Sequence, residues 1–445
     1  MLAVGEASAR ILKKIQPLGA ESLDLAQASG RVLAERVAAA TTSPPWDNSS
    51  MDGYAVRSAD LVAGDGAGRS GPRAGPDSNS NVLRVVGAIA AGSFADRPLG
   101  AGEAMRIMTG APVPVGADTV IRIEDTDWDT EHVAILELRD LRRNIRRAGE
   151  DFHQGDVLFE RGTELRAAHL GVLASAGVRT VTVFCAPRVA IISSGDELVE
   201  LSDLGDLGEL GELGELDEFA DNSARSGTKR IVSSNSWTLG QLIRDAGGEP
   251  VDLGIARDTP QSLRAMLEQA SDCDVVITSG GVSDGDHDHA RPVFAEMGGV
   301  LDFWKVRMRP GAPMAFGLLR EIPWFGLSGN PVSAMITFEI FVRPALRKML
   351  GHRKLHRELI SVRLAEPVET AAPLTHFLRA AVTRGDNGEY VARLAGSQSS
   401  AVLTAMARAN ALLVVPADRQ SNPVGSMLSA MPLTDDLQMS DELGI

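Results

Sequence analysis

The sequence predicts a multidomain α/β protein, in which one three-layer α/β/α unit is joined to β-rich units. Three observations carry this. The chain has 445 residues, room for about three domains of ordinary size. From Arg188 onward, short apolar strands alternate with amphipathic helices, the pattern of a parallel sheet covered by helices on both faces. On either side of that stretch, short β runs are separated by Gly- and Pro-rich turns, the pattern of small β domains.

The elements follow in order. The first 40 residues read as helical, with Ile11 and Ile15 at helical spacing and a mixed apolar-polar pattern over Leu23–Val37. Pro44 and Pro45 end this segment. Val82–Val86, Ala104–Met108 and Thr119–Ile123 read as strands, and Gly64–Asn81 as a flexible loop. Ala167–Ser175 reads as a helix and Thr180–Phe184 as a strand. Then come strand Val189–Ser193, helix Ser234–Ala246 opened by Ser or Asn, and strand Pro250–Ile255. Thr259 caps a helix over Pro260–Ala270, with Pro in its first turn. Asp274–Thr278 is a third strand, His289–Met297 a helix, Pro323–Leu327 a strand and Ser333–Leu350 a long apolar helix. The tail returns to strands at Ile360–Leu364, Phe377–Val382, Tyr390–Leu394 and Ala411–Pro416. The resulting division is a discontinuous N-terminal unit (1–45 and 145–185), an inserted β unit (46–144), the α/β unit (186–352) and a small C-terminal β unit (357–435).

Charge narrows the function. The formal net charge is −15 and aromatics are 4%, which disfavours a nucleic-acid surface built on basic patches and stacking rings. Nine of the net negative charges fall between Glu200 and Asp221, without one basic residue. Within the acidic insert 200–228, Leu204–Glu218 is an LGE-type triplet repeat. Its period fits neither helix nor strand, so it reads as a solvated, disordered insertion. Cys185 and Cys273 stand apart and read as small buried hydrophobes in a reducing compartment. The N-terminal stretch lacks an apolar signal core, and no run is long enough to span a membrane. The expected location is the cytoplasm, with no membrane and no nucleic acid as partner.

In an open parallel sheet, ligands bind beyond the carboxyl ends of the strands. Three segments are expected there. Ser194-Gly195-Asp196-Glu197 offers backbone N–H groups for an anion and carboxylates for a divalent cation or acid–base work. Ser279-Gly280-Gly281, followed by Ser283, Asp284, Asp286 and Asp288, suits phosphate and Mg²⁺. His287 and His289 sit two residues apart on an irregular stretch, a weak zinc signal. Lys305, Arg307 and Arg309 form a basic cluster in an acidic chain, and Gly329-Asn330-Pro331 opens a helix, a second anion-friendly feature. No P-loop and no G-x-G-x-x-G follows the first strand of the α/β unit, so an ordinary ATPase or dehydrogenase is disfavoured.

DNSSMDGYAVR (Asp47–Arg57) and RIMTGAPVPVGA (Arg106–Ala117) are similar to motifs of the MoeA family, the molybdopterin molybdenumtransferases that include the E domain of gephyrin. The similarity continues through Gly149–Gly155, Ser194–Leu198, Ser234-Asn235-Ser236, Gly254–Asp258, Ser279–Ser283, Arg309–Pro313 and Gly326–Ser333. The resemblance implies an elongated homodimer with each active site shared between subunits. It also implies a reaction: adenylylated molybdopterin and molybdate, with Mg²⁺, give molybdenum cofactor and AMP. A molybdopterin adenylyltransferase upstream and molybdoenzymes or their chaperones downstream are the implied partners. Residue by residue, it implies catalytic Asp52, Thr109, Glu197, Asp258 and Asp288, with Glu197, Asp258 and Asp288 as metal ligands. Ser194, Gly195, Ser279, Gly280, Gly281, Ser283, Lys305, Arg309, Pro331, Arg379 and Ser400 are the implied substrate contacts. Asp284, Ala312 and Ser328 stand where the family usually has Val, Lys and Pro, and His289 where it often has Tyr. Two other roles stay open at this point: adenylylation of molybdopterin, and a gephyrin-like binding module without catalysis.

Overall fold

The computed structural model describes residues 1–61, 81–203, 231–282, 289–385, 387–434 and 437. The acidic repeat 204–218, most of the 64–81 loop, and Ser283, Asp284, Asp286, His287 and Asp288 lie outside the described residues.

The α/β unit holds a six-stranded sheet. Its strands are β1 (Arg188–Ser194), β2 (Glu249–Ala256), β3 (Val275–Ser279), β4 (Val300–Trp304), β5 (Ala315–Leu319) and β6 (Ile322–Leu327). They lie in the order β2-β1-β3-β6-β5-β4. The first four in that order are parallel, β5 runs antiparallel to β6, and β4 runs antiparallel to β5. The sequence-based expectation of a parallel sheet is therefore corrected to a mixed one. Strand alternation builds the three layers. Val189, Ile191, Val275, Ile277 and Phe325 face one core with Leu239 and Ile243 of α1 (Ser234–Asp245). Ala190, Ile192, Val276 and Trp324 face another. That second core includes Leu263 and Leu267 of α2 (Pro260–Gln269) and Val293 and Phe294 of α3 (Ala290–Glu296). Each buried Leu or Ile side chain contributes about 1.5–3 kcal/mol. As expected, Thr259 caps α2: its hydroxyl accepts from Ser262 N–H at 3.3 Å. The long terminal helix divides into α4 (Pro331–Thr337), a π turn over Phe338–Val342, and a last segment Arg343–Met349.

The N-terminal helix is shorter than the pattern suggested. It spans Val4–Lys14, and Ala20–Asp24 is instead a strand paired antiparallel with Thr180–Phe184. Pairing across more than 150 residues overrides the local pattern here. Val37–Ala38 pairs with Val157–Phe159, so the two ends of the N-terminal half meet in one body. Between them, the inserted unit carries a five-stranded sheet that includes Gly53–Val56 and Glu103–Ile107.

The C-terminal unit is a closed barrel. Its strands are β7 (Ile360–Leu364), β8 (Thr375–Arg384), β9 (Tyr390–Leu394), β10 (Ala411–Val415) and β11 (Met427–Pro432). Hydrogen bonding runs β8-β9-β7-β11-β10 and back to β8. Met308–Arg309 adds to β8 in parallel, which ties the barrel to the α/β unit.

Candidate active site

The carboxyl ends of β1, β3 and β6 open into a cavity of about 610 Å³. Its walls include Ser194, Gly195, Glu197, Asp258, Ser279, Gly280, Gly281 and Pro331. Two glycines let the backbone close in. A Cβ on Gly280 would lie 2.6 Å from the Ser194 carbonyl oxygen, and φ there is +99°. A Cβ on Gly195 would lie 2.6 Å from the Glu197 carboxylate. Any side chain at either position would displace the loop or the carboxylate.

The cavity joins anion-friendly and cation-friendly groups. The first turns of α1 and α4 both start at its wall, through Ser233-Ser234-Asn235 and Asn330-Pro331. Neither cap residue, Ser233 or Asn330, makes a side-chain capping bond, and helix starts carry positive potential. Two carboxylates line the same cavity. Asp258 accepts from the Ser194 hydroxyl at 3.3 Å and from Asp196 N–H at 3.2 Å. The Glu197 carbonyl accepts from Ile231 N–H at 2.9 Å, whereas its carboxylate accepts no hydrogen bond among the described residues. Mg²⁺ is commonly held by one or two carboxylates completed by substrate phosphates, so this donor pair fits that ion. No group of three or more His, Cys, Asp or Glu placed to hold a metal occurs among the described residues.

Asn235 is a residue that the spacing argument did not single out. It is 8% exposed, and its Nδ2 donates to Ser279 Oγ at 2.7 Å and to the Gly329 carbonyl at 2.8 Å. It thus clamps the Ser-Gly-Gly loop to the loop before α4. The signal was the Ser234-Asn235-Ser236 motif, read from sequence as a helix cap and as part of the family resemblance, with no role given to Asn235. Ser328 sits beside the clamp: its hydroxyl accepts from Asn330 N–H at 3.2 Å and its carbonyl from Ser279 Oγ at 3.4 Å.

The other implied residues are elsewhere. Asp52 and Thr109 lie in the inserted unit and hold each other. Thr109 N–H and its hydroxyl donate to Asp52 at 2.7 and 2.8 Å. These bonds, the backbone one first, keep the Asp52 carboxyl below its ordinary value. Neither residue belongs to the cavity wall of its own chain. Lys305 and Arg309 are also outside that wall. Lys305 has a left-handed φ of 70° and sets its ammonium 4.0 Å from the Trp304 ring centroid. Arg309 is exposed and pairs through its backbone with His376 of β8. Arg379 is fully buried, and its Nη2 donates to the carbonyls of Ser397 and Ser399 at 2.9 Å each. It therefore reaches the site through that loop, whose next residues meet it. The Ser400 carbonyl accepts from Val332 N–H at 3.3 Å, and Ala401 lines the cavity.

A mixed α/β sheet with an amide-rich, two-carboxylate cavity at its strand ends, braced by a β barrel, defines a multidomain protein whose cavity chemistry suits an anionic ligand. Comparison with known proteins gives the family. Residues 2–177 match the MoeA N-terminal region (domains I and II), 190–348 a probable molybdopterin-binding domain, and 361–433 the MoeA C-terminal region (domain IV). The molybdopterin molybdenumtransferase of Haemophilus influenzae is 32% identical, over 97% of this chain and 98% of that protein. Molybdopterin molybdenumtransferase 1 of Mycobacterium tuberculosis is 33% identical, over 91% and 92%. The crystal structure of the molybdopterin biosynthesis protein MoeA from Pyrococcus horikoshii superposes with a TM-score of 0.74 at 27% identity, covering 97% of this chain and all of that one. The chain belongs to the MoeA family of molybdopterin molybdenumtransferases, transferases of molybdenum cofactor biosynthesis.

Proposed function

We propose that the protein inserts molybdate into adenylylated molybdopterin in an Mg²⁺-dependent reaction that releases AMP. The observation that carries this reading is the cavity itself: amide-rich loops for phosphate and two carboxylates for a hard cation share one wall. The Gly280-Gly281 loop, whose Gly280 N–H is itself held by the Leu327 carbonyl at 3.0 Å, and the starts of α1 and α4 would meet the charge that grows on the departing phosphate. Glu197 and Asp258 would hold Mg²⁺, which neutralises the phosphoanhydride when bound. The Ser194 hydroxyl orients Asp258. The Asn235 clamp keeps the two phosphate-facing loops at a fixed separation.

Asp52 and Thr109 stand outside their own chain's cavity, which supports a homodimer in which they complete the partner's site. The family's chemistry supports a cytoplasmic location, with Asp288 as a third carboxylate. Among the described residues no helix is long and apolar enough to cross a membrane. The test uses purified protein with adenylylated molybdopterin, molybdate and Mg²⁺. AMP and molybdenum cofactor are expected in equal amounts. ATP consumption with unadenylylated molybdopterin would instead assign the preceding step, and absence of both activities a binding module.

A further inference from the structure

Trp304 ends β4 next to the cavity wall and joins three things. Its indole N–H donates to the Val282 carbonyl at 2.9 Å, and Val282 lines the cavity directly after Gly280-Gly281. The Arg291 guanidinium lies over the same ring, 3.5 Å from its centroid, and the Lys305 ammonium lies 4.0 Å from it. The cations come from different elements. Arg291 is in the first turn of α3 and Lys305 follows β4. Lys305 pays a backbone cost to be there: a non-glycine residue at φ 70° is a strained conformation that surroundings must enforce. Its N–H is held by the Met314 carbonyl at 3.0 Å, beside Pro313 of the cavity wall. One rigid ring thus ties two cations, themselves outside the cavity wall, to a loop that lines it.

We propose that Arg291 is a further substrate-binding residue, and that Trp304 is the positioning residue that holds Arg291 and Lys305 toward the phosphoanhydride of the substrate. This rests on the reading of the cavity as a phosphate-handling site. Two cations on an aromatic platform recognise a diphosphate by charge and leave the organic parts of the ligand to other residues. Both cations are half-buried, where charge-assisted contacts are stronger than at a fully hydrated surface.

The experiment titrates the intact protein with inorganic pyrophosphate and measures steady-state kinetics with adenylylated molybdopterin. Arg291→Gln and Trp304→Leu are each expected to raise the pyrophosphate Kd and the KM about tenfold, the loss of one charge-assisted contact. kcat should stay within about threefold. Trp304→Phe retains a ring face and should recover most of the affinity, which a purely structural role for the indole would not give. Thermal melting of the half-buried Arg291→Gln variant checks that it is folded. Unchanged Kd and KM in Arg291→Gln, or a loss confined to kcat, would overturn the proposal, as would a Trp304→Phe variant as weak as Trp304→Leu. A wild-type enzyme that binds pyrophosphate but makes no molybdenum cofactor would instead overturn the functional reading, while the pyrophosphate titrations would still decide the role of Arg291.

Discussion

Removing the Asn235 clamp gives a prediction whose size follows from the structure. The side chain makes two short bonds, to Ser279 Oγ and the Gly329 carbonyl, in a site that is 8% exposed. Asn235→Ala deletes both. At about 1 kcal/mol net per bond, plus the cost of leaving a buried carbonyl unpaired, the loss is about 2–4 kcal/mol. For a domain of this size that lowers the melting transition of the α/β unit by roughly 5–12 °C. Asn235→Asp conserves shape but turns a donor into an acceptor facing the Gly329 carbonyl. At pH 8 it should therefore be more damaging than Ala. Burial beside an acceptor raises that carboxyl's pKa. Its deficit should shrink as pH falls and the protonated acid donates in place of the amide. Because the clamp sets the spacing of two ligand-facing loops, kcat/KM should fall about a hundredfold in both variants. Differential scanning calorimetry and AMP-release kinetics read the two effects. Variants that melt within 1 °C of wild type and keep full activity would refute the clamp, and so would an Asn235→Asp deficit independent of pH.

Four further outcomes follow from other parts of the molecule. Thr109→Val removes the hydroxyl that donates to Asp52. It should raise the Asp52 pKa toward the ordinary carboxylate range in an NMR titration, with the backbone bond retaining part of the depression. His352 is pushed down to about 4, by burial first and then by Arg347. The folded protein therefore keeps it neutral while the unfolded chain takes up a proton near pH 6.5. Stability should fall as pH drops from about 6.5 to about 4, and His352→Gln should flatten that part of the melting-temperature profile. Glu339 is 6% exposed and pairs with Arg357 at 2.9 Å and Arg343 at 3.8 Å. Glu339→Gln leaves both cations uncompensated and should cost about 3–5 kcal/mol in denaturant unfolding of the α/β unit. Replacing residues 204–230 by a short Gly-Ser linker should leave the KM for adenylylated molybdopterin within about twofold, because the triplet repeat Leu204–Glu218 reads from its sequence as an insertion.

Local signals carried the α/β unit well. Apolar strand runs, the Thr259 cap and the Pro260 helix start depend on nearest neighbours, and they emerged close to where the sequence placed them. Features set by distant contacts did not emerge. Val300–Trp304 and Ala315–Leu319 form an antiparallel pair in a stretch to which the sequence pattern assigned no element. Ala20–Asp24 is a strand because Thr180–Phe184 pairs with it, a partner that no local window contains. The candidate site shows the same division. The Gly-rich loops at strand ends were legible because glycine placement is a backbone requirement. The work of Asn235 was not, because the same Ser-Asn-Ser triplet suits a helix cap and only the tertiary structure brings Gly329 within 2.8 Å of it. Arg379 was legible as a motif residue, but its burial behind the Ser397–Ser399 carbonyls is a property of barrel packing.

The most direct test is a crystal structure of the protein with AMP, Mg²⁺ and molybdate. The account predicts the AMP phosphate against the Gly280–Gly281 loop, Mg²⁺ on Glu197 and Asp258, and molybdate in the same cavity at the ends of β1, β3 and β6. Nucleotide or molybdate bound elsewhere on the molecule, with that cavity empty at saturating ligand, would contradict it.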